Sequence, residues 1–561
     1  MQKMFGREAF VELLHREGVS HLFGNPGTTE LPIMQALPQR PELRFVLGLQ
    51  ESVVVAMADG YARASGRLVA ANVHVAPGLG HAMGALYNAK FSGSPIILTA
   101  GQQEQGHGLQ EPLLYEPLPP IAAPLVKWST EVTRIEDLPK VMHRAAKVAL
   151  TPPTGPVFIS LPGDVLNAQA ELDLGRPSRV DGRVRPSDEA LLELADWLLQ
   201  AEQPVMIAGQ ELGAHDAMDL AAELADLLGM PVYTETVPYR TSFHSDHPLY
   251  QGALTRVQSQ TRLALQTHDR LFCLGADLLR MSVFSPMDPL PESIQVAHLS
   301  ERDAELGKNH PVSWAACAQV QETLRALLPV LRQRQTAPQI ELARQRRARW
   351  SERNWSVQRE QAWSKAMAQI ESTPMAPSVL CATLAQHVPP QTIVLEEALT
   401  SSQALPTLWR QTHRHALYGL ASGGLGFAIP GAVGVSLAQP DRSVVALVGD
   451  GSAMYGIQGL WTAAHLKRPI TYVIAQNRGY RIIKERMVSM QGSDTFIGMD
   501  IRDPDIDFVR LAQSMGLQAR RVDRAADLAD ALKAGIDSGL PNLIEVRVAD
   551  RKSTRLNSSH T

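Results

Sequence analysis

Short runs rich in valine, isoleucine and leucine alternate with longer helical patterns along nearly the whole chain of 561 residues. Such alternation is typical of parallel β-sheets that carry helices on both faces. A chain of this length exceeds what one hydrophobic core organises, and about 180 residues is an ordinary domain size. The pattern therefore predicts an α/β protein built from three doubly wound parallel-sheet domains.

Changes in composition suggest where these domains begin and end. We predict an N-terminal domain over residues 1–175, a central domain over 189–335 and a C-terminal domain over 366–549. A stretch rich in proline and arginine, 176–188, is typical of a linker. Residues 333–365 are rich in Arg, Gln and Glu and are expected to form a solvated connecting helix. Residues 550–561 resemble translated adapter sequence, and we interpret them as a non-native tail.

The composition excludes several classes of protein. Lys and Arg number 53 against 57 Asp and Glu, so there is no basic excess for nucleic acid or an anionic membrane. The three cysteines, Cys273, Cys317 and Cys381, form no CxxC pair, and neither a zinc site nor a disulfide framework is indicated. The sequence shows no signal-peptide core and no apolar run of membrane length. We expect a cytoplasmic protein without nucleic-acid or membrane partners.

The most specific motif consists of two apolar strands that each end in polar residues. Residues 444–452 read VVALVGDGS and residues 472–480 read YVIAQNRGY. In a doubly wound sheet, ligands bind at the carboxyl ends of the strands. One carboxylate, one amide oxygen and one backbone carbonyl suit Mg²⁺, with diphosphate oxygens completing an octahedron. Gly451 allows the backbone to approach phosphate, and we expect a helix after Ser452 to direct its N–H groups at the anion.

Two further elements are independent of that motif. Residues 46–51, VLGLQE, end a strand at Glu51, and a helix is expected to follow. Glutamate is also common at helix starts because it suits the helix dipole, so Glu51 alone does not identify a site. Residues 421–430, ASGGLGFAIP, carry small residues that let backbone groups contact a flat ring. The alternative for this loop is a turn before a packed helix.

Taken together, the three elements resemble those of thiamine-diphosphate enzymes. By this resemblance Asp450, Asn477 and the Gly479 carbonyl bind Mg²⁺. Glu51 hydrogen-bonds the aminopyrimidine ring of the cofactor and so activates it, and the Gly423 carbonyl accepts from its amino group. The other residues implied to contact thiamine diphosphate are Asn25, Pro26, Gly27, Glu397, Thr400, Leu425, Gly449, Gly451, Ser452 and Tyr480.

Within that superfamily the sequence is most similar to benzoylformate decarboxylases. The similarity covers nearly the whole chain and is carried by residues 23–32, 73–78, 82–86, 99–103, 125–128, 423–427 and 460–464. It implies that His74 is catalytic and relays protons, a task for which imidazole is suited near neutral pH. It also implies that Thr28 replaces a serine beside the substrate carboxylate. A structural histidine at a strand end is the alternative for His74.

Departures from that family bear on the reaction. Ser282 stands where the family has a second active-site histidine, and a serine is no comparable acid or base near pH 7. Arg481 and Arg486 make the segment after Tyr480 unusually charged. They either meet an anionic tail of the substrate or are ordinary solvated charges. Leu399 replaces a hydroxyl residue, whereas its neighbour Thr400 keeps one.

The resemblance implies a lyase that decarboxylates a small 2-keto acid to an aldehyde with thiamine diphosphate and Mg²⁺. Carboligation, as in acetolactate synthases, and acyloin cleavage are the nearest alternatives. A flavin-dependent member and a cofactor-binding protein without turnover are further ones. In this superfamily the glutamate-bearing domain of one subunit faces the metal-bearing domain of another. A homodimer or homotetramer with active sites at the subunit interface is therefore implied.

Overall fold

The computed structural model describes residues 1–282 and 284–550. Within them the strands form three six-stranded parallel sheets and one two-stranded antiparallel pair. The predicted α/β class with three doubly wound sheets is thereby confirmed. Most strands are buried over most of their length, as expected where helices cover both faces of a sheet. No helix in the described part of the chain is both long and apolar enough to cross a membrane.

The N-terminal sheet is held by helices whose apolar faces meet it. Its elements and the flanking pair are β1 (Gln2–Phe5), α1 (Gly6–Arg16), β2 (His21–Gly24), α2 (Leu31–Ala36), β3 (Arg44–Leu47), α3 (Glu51–Ser65), β4 (Val69–Val73), α4 (Val75–Ser92), β5 (Ile96–Gln102), α5 (Leu118–Ala122), β6 (Ser129–Glu131), α6 (Leu138–Leu150), β7 (Val157–Pro162), α7 (Gly163–Asn167) and β8 (Gln169–Leu172). The strand order is β3-β2-β4-β5-β7-β6. Phe10 and Leu14 of α1 and Met142 of α6 are fully buried in this core.

The central sheet has the order β11-β10-β9-β12-β13-β14. Its elements and the helices that follow are α8 (Asp188–Leu199), β9 (Pro204–Ala208), α9 (Gln210–Ala214), α10 (Met218–Leu228), β10 (Val232–Thr234), β11 (Tyr250–Ala253), α11 (Gln258–Leu265), β12 (Arg270–Leu274), β13 (Gln295–Ser300), β14 (Trp314–Cys317), α12 (Val320–Arg334), α13 (Ala337–Ser351) and α14 (Trp355–Met367). The single solvated helix predicted over 333–365 is wrong. Two helices occupy that stretch, and Trp350 and Trp355 bury their rings in the central core.

The C-terminal sheet has the order β16-β15-β17-β18-β20-β19. Its elements are α15 (Pro377–His387), β15 (Ile393–Glu397), α16 (Leu405–Leu408), β16 (Leu417–Gly419), α17 (Ala428–Ala438), β17 (Val444–Gly449), α18 (Asp450–Ala453), α19 (Gly459–His465), β18 (Ile470–Gln476), α20 (Arg481–Gln491), α21 (Phe508–Ser514), β19 (Gln518–Val522), α22 (Ala525–Asp537) and β20 (Asn542–Arg547). The neighbouring strands β17 and β18 run parallel, with Gly449 opposite Ala475. Their carboxyl ends therefore lie side by side.

By the density of its contacts, the described chain forms two compact units. One contains Met1–Asp181, Val394–Ser401 and the chain from Leu420 onward; the other contains Gly182–Ile393 and Ser402–Gly419. The first unit thus combines the N-terminal domain with most of the C-terminal domain, and the second holds the central domain.

Within the first unit, α3 and α17 cross at glycines. A Cβ atom on Gly60 would lie 2.3 Å from the carbonyl oxygen of Gly431, and one on Gly434 would lie 1.9 Å from that of Met57. No side chain fits at such separations, so the two helix backbones touch directly. This crossing joins the helix that begins at Glu51 to the helix that follows the loop at 421–427.

The last described residue belongs to the fold. Asp550, assigned to the non-native tail by the sequence analysis, is buried, and its carboxylate lies 3.4 Å from both Lys484 Nζ and Arg502 Nη2. The folded chain therefore extends through Asp550. The remainder of the predicted tail, 551–561, lies outside the described residues.

Candidate active site

Glu51 is the first residue of α3 and is buried. The side-chain oxygen of Gln50 caps the helix by accepting from the backbone N–H groups of Ser52 and Val53. Asn25 Nδ2 donates to Glu51 Oε1 at 3.2 Å, and His81 Nδ1 lies 3.1 Å from Oε2. A Cβ atom on Gly78 would lie 3.1 Å from Oε1. One loop, at Asn25, and one helix, α4, therefore fix this carboxylate, and the His81 contact was not predicted.

His74 lies at the end of β4, as the last residue before α4. Its Nδ1 atom is 2.8 Å from Oε2 of Glu30 and 3.2 Å from the hydroxyl of Thr29. Because an ionised carboxylate only accepts, Nδ1 carries the proton and Nε2 is the basic nitrogen. A Cβ atom on Gly27 would lie 2.2 Å from the imidazole ring, which explains the glycine at that position.

Glu30 has no solvent exposure and organises this part of the site. Its two oxygens also accept from Gly27 N at 2.9 Å, Gly101 N at 2.8 Å and the Thr29 hydroxyl at 2.8 Å. Sequence reasoning missed Glu30, and it chose Thr28 as the active-site hydroxyl. The structure leaves Thr28 exposed and places the Thr29 hydroxyl beside His74.

The two remaining residues of the predicted N-terminal loop differ in exposure. Asn25 is half-buried, and its backbone N–H donates to Asn72 O at 3.4 Å while its side chain reaches Glu51. Pro26 is exposed. The predicted N-terminal residues Asn25, Gly27, Glu51 and His74 therefore lie together at the carboxyl ends of β2, β3 and β4.

Asp450 and Asn477 follow the neighbouring strands β17 and β18, and both are buried. Asp450 Oδ1 accepts from Gly451 N at 2.8 Å and Oδ2 from Arg478 N at 2.5 Å. Asn477 Oδ1 accepts from Gly479 N at 3.1 Å. Burial raises the pKa of Asp450 to about 6, although these backbone N–H groups oppose the rise. The motif thus presents two oxygen-bearing side chains at adjacent strand ends.

The rest of this turn is closely packed. The Gly479 carbonyl accepts from Arg481 N at 3.0 Å. A Cβ atom on Gly451 would lie 2.7 Å from the ring of Tyr480, so the side chain of any other residue at this position would clash with that ring. Gly449 is half-buried and Ser452 is buried. The helix expected after Ser452 is wrong, because a single turn, Asp450–Ala453, begins two residues earlier.

The loop at 421–427 is positioned by two buried side chains. Glu397 at the end of β15 accepts from Gly426 N and Ala428 N, each at 2.6 Å, and burial raises its pKa to about 8. Asn88 Oδ1 of α4 accepts from Ala421 N at 3.0 Å, and Asn88 was not predicted. Gly423 has a φ of +82°, a left-handed conformation that favours glycine.

Two other predicted residues lie in the same region. Thr400, in the turn after β15, is buried, and Leu425 in the loop at 421–427 is half-buried. The departures noted in the sequence fall in different surroundings. Ser282 is exposed. Arg481 binds Glu485 Oε1 at 2.9 Å and the Ala549 carbonyl at 3.0 Å, so contacts within the fold hold its guanidinium.

Comparison with known proteins assigns this arrangement to a family. Domain models described as thiamine pyrophosphate enzyme N-terminal TPP binding, central and C-terminal TPP binding domains match residues 4–113, 191–327 and 400–546. Over 544 residues the chain is 32% identical to a benzoylformate decarboxylase of Pseudomonas aeruginosa, covering 96% of this chain and 98% of that protein. The chain belongs to the thiamine pyrophosphate enzyme family.

Two solved structures and one further relative are also similar to this thiamine pyrophosphate enzyme over nearly the whole chain. A thiamine diphosphate-dependent 4-hydroxybenzoylformate decarboxylase of Rhodococcus jostii is 32% identical, with a TM-score of 0.86 over 97% of this chain and 99% of that one. Benzoylformate decarboxylase of Polynucleobacter necessarius gives 28% identity and a TM-score of 0.86, covering 98% and 99%. The large subunit of acetolactate synthase isozyme 1 of Escherichia coli is 28% identical, covering 98% and 94%.

The turn at Asp450 fits a divalent cation and a diphosphate. Asp450 is 3% exposed, and its carboxylate accepts hydrogen bonds from backbone N–H groups. Burial disfavours the negative charge of this carboxylate, and a bound cation would stabilise it. Within residues 1–282 and 284–550 no cluster of three His, Cys, Asp or Glu side chains suits a metal ion. A site of one carboxylate, one amide and one carbonyl oxygen agrees with that finding, since diphosphate and water supply the other ligands of Mg²⁺.

The predicted residues of this enzyme fall into two separate groups. The first surrounds Glu51 and His74, and the second surrounds Asp450, Asn477 and Glu397. In the described part of the chain, no hydrogen bond or ion pair joins a predicted residue of one group to one of the other. The two groups are thus separate in their direct hydrogen bonds, although Asn88 of α4 also holds the loop at 421–427.

Proposed function

We propose that this thiamine pyrophosphate enzyme is a Mg²⁺-dependent 2-keto acid decarboxylase of the benzoylformate decarboxylase type. The reaction takes up one proton and converts R–CO–COO⁻ to R–CHO and CO₂. The observation that carries the proposal is that Glu51, at the start of α3, and the hydrogen-bonded His74–Glu30 pair lie at the same edge of the N-terminal sheet. Relatives at 32% identity over nearly full length are named as decarboxylases of benzoylformate and 4-hydroxybenzoylformate.

Each group in the site has a distinct task in this proposal. Bound thiamine diphosphate supplies an acceptor for the electron pair released when the bond to the carboxylate breaks. Glu51 holds a proton against the aminopyrimidine ring, and Asn25 and Gly78 keep its carboxylate in place. His74, with Nδ1 bonded to Glu30, exchanges a proton with the substrate through Nε2.

In the C-terminal domain, Asp450, Asn477 and the Gly479 carbonyl would hold Mg²⁺, and Ser452 and Tyr480 would contact the diphosphate. The loop at 421–427, fixed by Glu397, would contact the rings of the cofactor. Because no direct hydrogen bond or ion pair joins the two groups of predicted residues in the described chain, we propose a homodimer or homotetramer. In such an assembly, Glu51 of one subunit would face Asp450 of another. The proposed substrate is a small 2-keto acid.

Carboligation is the second candidate, and a single feature favours it. By the resemblance, Ser282 stands where the family has its second active-site histidine, and a serine cannot deliver a proton as imidazole does. A site that protonates its bound intermediate slowly leaves time for attack on a second carbonyl compound. The product would then be an acyloin rather than an aldehyde, as expected of a relative of acetolactate synthase.

The test is to measure CO₂ and aldehyde released from a panel of 2-keto acids that includes benzoylformate. Each acid is assayed with and without thiamine diphosphate and Mg²⁺, in the wild type and in Glu51→Gln. Equal amounts of CO₂ and aldehyde, dependent on the cofactor and lost in the variant, support the decarboxylase. CO₂ with acyloin instead of aldehyde supports carboligation. Cofactor binding without CO₂ from any acid would reject both and leave a binding protein or an acyloin lyase.

A further inference from the structure

Lys484 is a buried lysine whose charge is enclosed by the C-terminal domain. It lies on α20, five residues after Gly479, and only 5% of its surface is exposed. Its Nζ is 2.6 Å from Asp500 Oδ1 and 3.4 Å from Asp550 Oδ2. Arg502 reaches the same two carboxylates, at 3.7 Å from Asp500 and 3.4 Å from Asp550. Two positive and two negative groups thus form one network.

This network encloses the turn proposed to bind Mg²⁺. Lys484 Nζ lies 3.0 Å from the point that a Cβ atom on Gly479 would occupy. Gly479 pairs with Asp500 in an isolated antiparallel bridge. Tyr480 N donates to Met499 O at 2.9 Å, and Ile501 N donates to Arg478 O at 2.9 Å. The segment 499–501 therefore runs alongside the turn and is bonded to Lys484.

The last described residues, 548–550, are bonded to the same turn from another side. Val548 N donates to Gln476 O at 3.0 Å, one residue before Asn477. Arg481 Nη1 donates to Ala549 O at 3.0 Å, and Asp550 then meets Lys484. Residues 548–550 thus extend past β20 along the turn. Lys484 joins the two flanking segments, since Asp500 belongs to one and Asp550 to the other.

We propose that Lys484 is a positioning residue that fixes the metal-binding turn by joining Asp500 to Asp550. This rests on the proposed function, in which Asn477 and Gly479 hold Mg²⁺. The role concerns geometry and not charge alone. An ammonium beside a divalent cation repels it, and the two carboxylates offset that repulsion. Groups that orient metal ligands affect metal affinity about 10–100-fold when they are replaced.

Positioning of the turn and repulsion by the charge predict opposite effects of Lys484→Met on the affinity for the cation. If charge alone mattered, Lys484→Met would bind the cation more tightly, because a repelling charge is gone. If positioning dominates, Lys484→Met binds it at least about tenfold more weakly. Asp550→Asn should weaken cation binding under both hypotheses. It loosens the turn, and it leaves the positive charge of Lys484 less neutralised. Lys484→Arg keeps the charge and the two carboxylate contacts and should restore most of the affinity.

The experiment measures the dissociation constant of Mn²⁺, a probe for Mg²⁺, with thiamine diphosphate present and without substrate. Free Mn²⁺ is followed by its electron paramagnetic resonance signal, and the melting temperature of each cofactor-free protein is recorded. The matched control is Lys533→Met, an exposed lysine of the same domain that pairs with Asp537. We expect unchanged binding in the control, at least about tenfold weaker binding in Lys484→Met, and recovery in Lys484→Arg.

Several outcomes overturn the inference. Mn²⁺ bound by Lys484→Met as tightly as by the wild type, or more tightly, rejects positioning. A lower melting temperature with unchanged Mn²⁺ affinity assigns Lys484 to stability alone. If Lys484→Met does not fold, unchanged Mn²⁺ affinity in Asp550→Asn rejects the inference. A wild type that binds no Mn²⁺ with thiamine diphosphate rejects the proposed function itself, which separates the two failures.

Discussion

The Glu30–His74 pair yields the prediction that the structure specifies most fully. Glu30→Gln keeps the shape of the side chain but removes its charge and replaces one acceptor oxygen with a donor. Glu30 accepts two backbone N–H groups, from Gly27 and Gly101, one on each oxygen. Whichever way the amide of glutamine turns, one of these buried N–H groups faces an NH₂ group. We therefore expect Glu30→Gln to fold with reduced stability.

The magnitude follows from the number of bonds affected. One buried N–H without an acceptor costs about 1–3 kcal/mol, and the other bonds to Glu30 lose their charge-assisted strength. The effect on turnover is separate. When His74 takes up a proton, Glu30 stabilises the imidazolium, and at about 4 Å between charge centres this amounts to about 4 kcal/mol at an effective dielectric constant of 20.

Solvent screening reduces that value because the His74 side chain is 23% exposed. A loss of about 1.4–2.7 kcal/mol remains, which corresponds to a fall in kcat of about 10–100-fold. The assay is steady-state decarboxylation at saturating thiamine diphosphate and Mg²⁺, with cofactor affinity measured separately. Because Glu30 contacts none of the residues proposed to bind Mg²⁺ in the described chain, metal affinity should be unchanged.

A matched control is available in the same domain. Glu17 is also buried, and it pairs with His143 and with Arg179 on the side of the domain formed by α1 and α6. Glu17→Gln should lower the melting temperature while kcat stays within about twofold of wild type. The reasoning is refuted if Glu30→Gln, although destabilised, also keeps kcat within twofold, because Glu30 would then serve stability only.

Three more expectations follow from the structure. Glu51→Gln and Asp450→Asn, each inactive alone, should regain about one quarter of wild-type activity when unfolded together and reassembled as mixed dimers. Gly451→Ala should weaken thiamine diphosphate binding, because its Cβ would lie 2.7 Å from the Tyr480 ring. Burial lowers the pKa of His268 to about 4, below its unfolded value near 6.5. Its contribution to stability is therefore complete above pH 6.5 and is lost as the pH falls towards 4, so His268→Gln should flatten the acid side of the unfolding profile.

Each of these expectations has a result that contradicts it. No recovery in the mixed dimers would place both residues in one chain's own site. For the glycine, Gly106→Ala is the control, because a Cβ there meets nothing within 4 Å. Equal cofactor affinity in Gly451→Ala and Gly106→Ala would show that the Tyr480 ring moves freely. An unfolding midpoint that falls as steeply with acid in His268→Gln as in the wild type would assign the loss to other groups.

The fold and half of the site follow from patterns that are local in sequence. Apolar runs that end in polar residues predicted where Asp450 and Asn477 lie, because parallel strands bring their carboxyl ends to one edge. Glu51 was predicted in the same way, from a strand followed by a helix. In these cases the deciding information lies within about ten residues of the side chain, where the periods of strand and helix are read directly.

The residues that were missed depend on contacts distant in sequence. Glu30 stands in a polar turn before α2, where a glutamate ordinarily lies in solvent. Its burial comes from Gly101 and His74, on other strands. Lys484 belongs to a charged helix, and residues near 500 and 550 bury it. Trp350 was assigned to a solvated helix because its neighbours are charged, although one face of α13 packs on the central core. Such placements are decided by tertiary packing, which a local pattern does not contain.

The glycine crossing between α3 and α17 has a consequence for recombining this enzyme with its relatives. Gly60 lies against Gly431 and Gly434 against Met57, with no side chain between the helices. An exchange of the first 181 residues for those of another enzyme brings the α3 of one parent against the α17 of the other. One added methyl group at Gly60 or at Gly434 then pushes the two helices apart. Since Glu51 opens α3, that displacement also moves the carboxylate. Chimaeras should therefore inherit both faces of the crossing from one parent, whichever parent supplies the substrate pocket.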